Sequence, residues 1–188
     1  MNKPMTVVIG KSLQEFLQLA YIDESPAWEY INGKVVQKPM GGGKHSLLQK
    51  RLITAIDAGC SDYEAFPELR CSFGNRSVVP DVVVVAIEQL PLDENGDIVS
   101  TGIEFTPPWV IEILSPVQSQ TKVTGNILHC LKYGTRLGWL VDPNERSILV
   151  YQPHSLPDLL SGTDIVPVLD GVSLTITVDD VFAWLKRQ

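Results

Sequence analysis

The sequence has few cysteines and no long apolar run. Its three cysteines, Cys60, Cys71 and Cys130, lie far apart without C-x-x-C spacing, which fits neither a disulfide framework nor a zinc site. The apolar runs are too short and too interrupted to cross a bilayer, and no basic segment followed by an apolar one marks a secretory signal. We therefore expect a cytoplasmic protein.

Positive charge is also scarce. The chain has 15 Lys and Arg residues against 22 Asp and Glu residues, which gives a net charge of −7. This balance does not suit a protein that coats nucleic acid non-specifically, although it leaves room for a local basic groove. With 188 residues, 44% of them hydrophobic and 20% charged, the chain can bury a sizeable core and should not be disordered. We expect one domain over residues 1–188.

Capping and turn signals divide the chain into short elements. Ser12 and Glu15 form a capping box that predicts a helix start, and Asn32-Gly33 predicts a β-hairpin. Predicted helices cover about 12–21, 45–58, 122–133 and 179–186, the last capped by Asp179. Predicted strands cover about 28–31, 34–37, 63–66, 69–73, 78–86, 109–114, 138–142 and 147–151, with a closing hairpin of 164–169 and 172–177. Consecutive strands without intervening helices favour an α+β or mixed α/β fold with a largely antiparallel sheet.

Two strands predicted to be buried each carry an acid. Residues 107–116 form an apolar, β-branched run between prolines, typical of a strand covered on both faces, and Glu112 interrupts it. Asp81 follows Pro80 at the mouth of the valine run 82–85. A carboxylate in such surroundings is costly unless it is paired, protonated or bound to a cation. If the two strands are neighbours, Asp81 and Glu112 can together bind a hard divalent metal ion.

Each of these residues also has a structural interpretation. Asp81 can be a turn residue that caps the start of a strand, and Glu112 can be the buried partner of Arg70 or Arg76. His45 follows three glycines at a predicted helix start. There it can orient a phosphate or a metal-bound water, or it can be a partly exposed capping residue.

The order of several short motifs resembles a known family. The motifs are Glu29-Tyr30-Ile31-Asn32-Gly33, His45, Pro80-Asp81, Val110-Ile111-Glu112-Ile113-Leu114-Ser115-Pro116 and Gly138-Trp139-Leu140-Val141-Asp142-Pro143. In this order they resemble the Uma-type restriction endonuclease family, within the PD-(D/E)XK nuclease superfamily. The resemblance extends from about Glu15 to Tyr151, and further towards the terminus. It implies a restriction-endonuclease-like fold, in which helices flank a central mixed sheet.

The resemblance also implies an activity, which is the hydrolysis of DNA phosphodiester bonds. It implies Mg²⁺ or Mn²⁺ held by Asp81 and Glu112, because a bound metal activates water and neutralises the charge that builds on the phosphate. Glu29 becomes an accessory acid near the metal, although its alternative is a residue on a solvated strand face. We also expect a homodimer, since symmetric pairs are the commonest assemblies and cutting a duplex uses two sites.

One expected residue is absent. The superfamily carries a lysine two residues after the acid, and Leu114 occupies that position here. The family places the lysine on the next helix, upstream of Gly134, and the corresponding residue is Asn126. Lys122, one helical turn earlier, can reach the same region or can be a solvated helix residue. Two functions therefore remain open: a metal-dependent endonuclease, intact or catalytically impaired, and a non-catalytic nuclease-fold module for protein binding or assembly.

Overall fold

The computed structural model describes residues 6–7, 10–116 and 118–186, which form two β-sheets and several helices. The α-helices are α1 (Leu13–Leu17), α2 (Gly43–Ala58), α3 (Gln120–Lys132) and α4 (Val178–Ala183), and a short 3₁₀ helix spans Ile87–Gln89. The strands are β1 (Thr6–Val7), β2 (Trp28–Ile31), β3 (Lys34–Gln37), β4 (Tyr63–Pro67), β5 (Cys71–Phe73), β6 (Arg76–Val78), β7 (Val82–Ala86), β8 (Trp109–Ile113), β9 (Leu137–Asp142), β10 (Ser147–Tyr151) and β11 (Asp158–Ser161).

The larger sheet forms the centre of the molecule. Its six strands follow the order β11-β10-β9-β8-β7-β4, and all neighbours are antiparallel except β8 and β9. That parallel pair needs a crossover, which α3 provides. Along β7, Val82 and Val84 pack in the core beside α2, and Val83 and Val85 pack in the core beside α3. Burial on both faces explains why this strand is a continuous valine run.

The smaller sheet is built around the hairpin of β2 and β3. Its strand order is β1-β3-β2-β6-β5, and all of its neighbours are antiparallel. Asn32 and Gly33 both have positive φ, at 51° and 76°, which is the backbone that a type I′ turn requires, so the predicted hairpin is confirmed. The capping box of Ser12 and Glu15 is also present at the start of α1.

The predicted strand 78–86 is wrong as a single element. Residues Arg76–Val78 pair in the small sheet, whereas Val82–Ala86 pair in the large sheet. Pro80 lies between them, and it has no backbone N–H to donate to a strand ladder. The chain therefore passes from one sheet to the other at Val79–Asp81, and this crossing puts Asp81 between the two sheets.

The predicted closing hairpin is also wrong. Residues 164–169 and 172–177 share only one isolated antiparallel bridge, between Ile165 and Thr177, and their other residues form no strand. Val166, Leu169, Val172 and Ile176 are buried in the large-sheet core, so packing more than strand pairing fixes this segment. The helix that follows is capped by Thr177, in a capping box with Asp180, and not by Asp179. Residues 158–161, which lie outside the predicted helices and strands, form an edge strand beside β10.

A buried arginine joins α1 and its following loop to the small sheet. The Arg70 guanidinium donates to the carbonyl of Ile22 at 2.7 Å, to the carbonyl of Trp28 at 2.9 Å and to Ser77 Oγ at 3.0 Å. Asp23, whose side chain is largely exposed, accepts from Nε at 2.9 Å. Buried carbonyls that lose a donor carry their full desolvation cost.

We therefore expect Arg70→Met to lower the free energy of unfolding by about 3 kcal/mol, because two buried carbonyls lose their donors. Arg51→Met is the control, since Arg51 is exposed on α2 and should change stability by no more than about 0.5 kcal/mol. Urea unfolding followed by circular dichroism measures both variants. Equal losses in the two variants would contradict the structural role of Arg70.

Candidate active site

The two predicted acids lie side by side. Strands β7 and β8 are antiparallel neighbours in which Val82 pairs with Ile111, so the residues that flank this pair, Asp81 and Glu112, are adjacent. The backbone N–H of Ile113 donates to Asp81 Oδ2 at 2.7 Å. Asp81 is 1% exposed and Glu112 is 3% exposed. The structure thus brings together two carboxyl groups that are 31 positions apart in the chain, at the crossing between the sheets.

A lysine to which the sequence pattern assigned no role lies between these acids. Lys38, directly after β3, is 8% exposed, and its Nζ donates to Asp81 Oδ1 at 2.7 Å and to the carbonyl of Val79. The same Nζ lies 3.9 Å from Glu112 Oε2. Strand alternation could have indicated this position. Lys38 is two residues after Val36, so the two side chains lie on the same face of the strand. Val36 pairs with Glu29 across the hairpin, so Lys38 lies on the same face as this acid.

Asp81 is held by both sheets and by α2. His45 Nε2, in the first turn of α2, lies 3.0 Å from Asp81 Oδ2, and the Gln49 side chain donates to the Asp81 carbonyl at 2.7 Å. A side chain at Gly41 would come within 2.6 Å of the His45 ring, so glycine there leaves room for the imidazole. These contacts extend beyond the local strand cap that was the alternative interpretation of Asp81. His45 is partly exposed, but the N-cap of α2 is Gly42, so His45 does not cap the helix.

Charge and burial act in opposite directions on Asp81. Burial alone would raise the pKa of this carboxyl, but the Lys38 ammonium and the hydrogen bonds from His45 and Lys38 outweigh it, so the pKa lies below its ordinary value. Burial would likewise lower the pKa of Lys38, but the charges of Asp81, Glu112 and Glu29 raise it above the ordinary value. Asp81 and Lys38 are therefore a charged pair at neutral pH.

Burial shifts the pKa of each of the remaining two acids upward. Burial, with repulsion from Asp81 and Glu29, raises the pKa of Glu112 well above its ordinary value, although the charge of Lys38 opposes the shift. Burial also raises the pKa of Glu29, which is 5% exposed and accepts a hydrogen bond from the Val79 N–H at 2.8 Å. The interpretation of Glu29 as a residue on a solvated strand face is therefore wrong.

Neither arginine considered as a partner of Glu112 serves that role. Arg70 bonds to Asp23, to Ser77 and to backbone carbonyls. Arg76 donates to Asn32 Oδ1 at 2.8 Å and to the Gly125 carbonyl at 3.3 Å. Among the described residues, the cation that approaches Glu112 is instead Lys38, whose Nζ lies 3.9 Å from Oε2.

The buried cluster of Glu29, Lys38, Asp81 and Glu112 contains more acid than base. Three carboxyl groups face one ammonium, and the second basic neighbour, His45, carries a charge only when protonated. Among the residues that the structure describes, no group of three or more His, Cys, Asp or Glu side chains is arranged to hold a metal ion. Mg²⁺, however, commonly binds through one or two carboxylates and keeps several waters, so Asp81 and Glu112 suit this ion by chemistry and by number.

Lys122 and Asn126 lie elsewhere. They line a cleft of about 360 Å³ between the β2–β3 hairpin and α3, together with Lys34, Arg76 and Gly125. In the described part of the chain, neither residue makes a hydrogen bond or ion pair with Asp81 or Glu112. The structure therefore brings together Asp81, Glu112, Glu29 and His45, whereas Lys122 and Asn126 line this cleft, which we call the hairpin–helix cleft.

Comparison with known proteins identifies the family. A family model described as "Uma2: Putative restriction endonuclease" matches residues 13–179. A solved structure, that of a putative nuclease belonging to DUF820 from Anabaena variabilis ATCC 29413, is 45% identical in sequence and has a TM-score of 0.88, covering 94% of this chain and 99% of that chain. The chain belongs to the Uma2 family.

Membership of the Uma2 family confirms the resemblance found in the sequence. The expected α+β architecture is confirmed as well: the large sheet is mixed, helices flank it, and the chain shares its fold with the solved putative nuclease. No curated protein matches the chain. Within the residues that the structure covers, no helix is long and apolar enough to cross a membrane.

We expect Lys38→Met to destabilise the protein by about 3–5 kcal/mol, because it leaves the Asp81 charge buried without its partner. Lys34→Met is the matched control, since Lys34 is exposed at the other end of the same strand and its loss should cost less than about 1 kcal/mol. Urea unfolding in EDTA measures both variants. A small, equal effect of the two substitutions would show that the ammonium does not support Asp81.

The raised pKa of Glu112 predicts a pH dependence for Glu112→Gln. A carboxyl whose folded pKa is raised contributes stability below its unfolded pKa, and this contribution is lost as the pH rises through the folded pKa. The wild type should therefore lose stability relative to Glu112→Gln between pH 5 and pH 8 in EDTA. Unfolding curves across that range test this. Glu145→Gln, at an exposed position, is the control and should show no such trend. If the wild type instead gained stability relative to Glu112→Gln as the pH rises, the raised pKa would be contradicted.

Proposed function

We propose that this Uma2-family protein is a metal-dependent endonuclease that hydrolyses DNA phosphodiester bonds. The observation that carries the proposal is the buried juxtaposition of Asp81 and Glu112 beside the Lys38 ammonium. The family description and the solved putative nuclease support a nuclease function. The predicted homodimer and cytoplasmic location remain predictions.

Asp81 and Glu112 would hold the metal ion. Mg²⁺ or Mn²⁺, when bound, supplies an activated water and neutralises charge on the phosphate. Asp81 is preorganised for this role, since the Ile113 N–H and His45 fix its Oδ2 and its low pKa keeps it ionised. Glu29 is a positioning residue, because it anchors the N–H of Val79 two residues before Asp81.

Lys38 takes the role of the lysine that is absent at positions 114 and 126. Its raised pKa keeps it protonated at neutral pH, so it acts as a fixed positive charge and not as a general base. A protonated ammonium beside both acids can donate hydrogen bonds to a phosphate and stabilise the negative charge that develops there. In this protein the lysine would come from the hairpin of the small sheet and not from the helix α3.

A second function has its own supporting observation. Asp81 and Glu112 are 1% and 3% exposed, so their carboxyl groups have almost no access to solvent in this structure. A nuclease fold retained for protein binding or assembly would have no need of an open site. This non-catalytic module is the alternative, and a cleavage assay separates the two functions.

The test uses supercoiled plasmid and single-stranded DNA with Mg²⁺ or Mn²⁺. We expect cleavage that EDTA abolishes and that falls roughly 100-fold or more in Asp81→Asn and in Glu112→Gln. The exposed Glu145→Gln is the control for an acid-to-amide change and should retain wild-type activity.

Lys38 provides a second comparison in the same assay. Lys38→Arg retains the positive charge and should keep more activity than Lys38→Gln, which removes it. Calorimetric titration with Mn²⁺ shows whether each variant still binds metal, which separates a loss of chemistry from a loss of the site. If the wild type cleaves neither DNA with either metal, the non-catalytic module is the correct function.

A further inference from the structure

The hairpin–helix cleft is positively charged in an acidic protein. It is lined by Lys34 on β3, Arg76 on β6 and Lys122 on α3, and none of its lining residues is an acid. The whole chain has a net charge of −7. A cleft lined by one sign of charge concentrates the electric field and attracts a ligand of opposite charge.

Among the described residues, the hydrogen-bond partners of the Arg76 guanidinium are uncharged. Its guanidinium donates to the side-chain oxygen of Asn32 at 2.8 Å and to the carbonyl of Gly125 at 3.3 Å. Both partners are uncharged, so they fix the geometry of the guanidinium and leave its positive charge available. Lys34 and Lys122 are exposed on opposite sides of the cleft, and neither makes an ion pair within the described residues.

The cleft opens on the same side of the hairpin as the buried acid cluster. Lys34, Val36 and Lys38 follow one another at intervals of two residues, which places them on one face of β3 and its extension. Val36 lines the cleft and pairs with Glu29 across the hairpin. At about 3.3 Å per residue, Lys34 and Lys38 are roughly 13 Å apart along the strand. A polyanion bound in the cleft therefore comes within a few nucleotides of Asp81 and Glu112.

The size and lining of the cleft favour a single DNA strand over a DNA duplex. Its volume of about 360 Å³ is at the lower end of the range for small-molecule pockets, and it is confined between a hairpin and a helix. Ile31 and Val36 add an apolar surface beside the three cations, and Asn126 adds a neutral amide that can donate to a phosphate oxygen. A cleft of this volume suits one sugar–phosphate backbone better than a duplex.

We propose that the hairpin–helix cleft binds the phosphate backbone of a single DNA strand and leads it to the acid cluster, with Lys34, Arg76 and Lys122 as the phosphate contacts. The proposal rests on the proposed nuclease function and identifies where that site takes its substrate. It also gives Asn126 a role, since this residue contacts the incoming strand and does not substitute for the missing catalytic lysine.

The test measures binding without cleavage. Fluorescence anisotropy of a labelled single-stranded oligodeoxynucleotide in EDTA compares the wild type with Lys34→Gln/Lys122→Gln at several salt concentrations. We expect affinity to fall about tenfold or more at low salt. The slope of log K against log salt should decrease by about 1.4, because each phosphate that a cation neutralises on a single strand contributes ~0.7 to it. Lys34→Arg/Lys122→Arg retains both charges and should bind like the wild type.

The chain offers a matched control. Lys132→Gln/Lys186→Gln removes the same two charges from exposed positions outside the cleft, one of them on the same helix α3. It should leave the salt slope unchanged. Equal weakening in the two double variants would overturn the proposal, because binding would then depend on overall charge. An unlabelled duplex that competes better than the same length of single strand would overturn it as well.

The outcomes also distinguish this proposal from the nuclease function. If single-stranded DNA binds through Lys34 and Lys122 but no DNA is cleaved, the cleft is correct and the nuclease function is wrong. If DNA is cleaved and Lys34→Gln/Lys122→Gln binds as tightly as the wild type, the nuclease function stands and the cleft is wrong.

Discussion

The contact between the Lys38 ammonium and Asp81 is the interaction on which the rest of this structure depends. The small sheet contributes Glu29 and the adjacent Lys38, the large sheet contributes Glu112, and Asp81 lies at the crossing between them. Lys38 and Glu29 also bond to the carbonyl and the N–H of Val79, so they fix the segment that joins the sheets. An ionised Asp81 in this dry environment is tolerable only with its partner present. The contacts that dock the two sheets are therefore the same contacts that fix the geometry of the site.

The same cluster is costly for the fold. With one ammonium shared among three acids, burial and mutual repulsion raise the pKa values of Glu29 and Glu112. An apolar replacement of similar size would remove that cost, since buried ionic groups are often no more stable than hydrophobic ones. In the proposed function, a bound metal ion would compensate the extra acids more fully than Lys38 alone. Stability and function thus oppose each other at the crossing, as is common where strongly perturbed acids cluster.

The sequence predicted those features of the fold that depend on a short stretch of chain. The valine run before Ala86 and the apolar residues around Glu112 predicted two buried strands, and the acid within or beside each run predicted the juxtaposition that the structure contains. Lys38 was missed because its burial depends on how the small sheet docks on the large one, a contact between residues 43 positions apart. The split of 78–86 into two strands has the same non-local origin. Lys122 and Asn126 were correctly placed on a helix, but helix periodicity alone does not say which wall of which cleft they face.

The net charge of the chain does not reveal the positively charged hairpin–helix cleft. A net charge of −7 argues against broad binding of a polyanion over the surface. In such a field, a positive cleft enclosed by neutral and apolar residues gives the polyanion one favourable approach, because repulsion elsewhere disfavours the others. In the proposed function, the lysine of the site comes from the hairpin and not from α3, which fits this arrangement. The ammonium is then buried beside the acids, where it compensates them, and the helix is left to present Lys122 and Asn126 to the strand that enters.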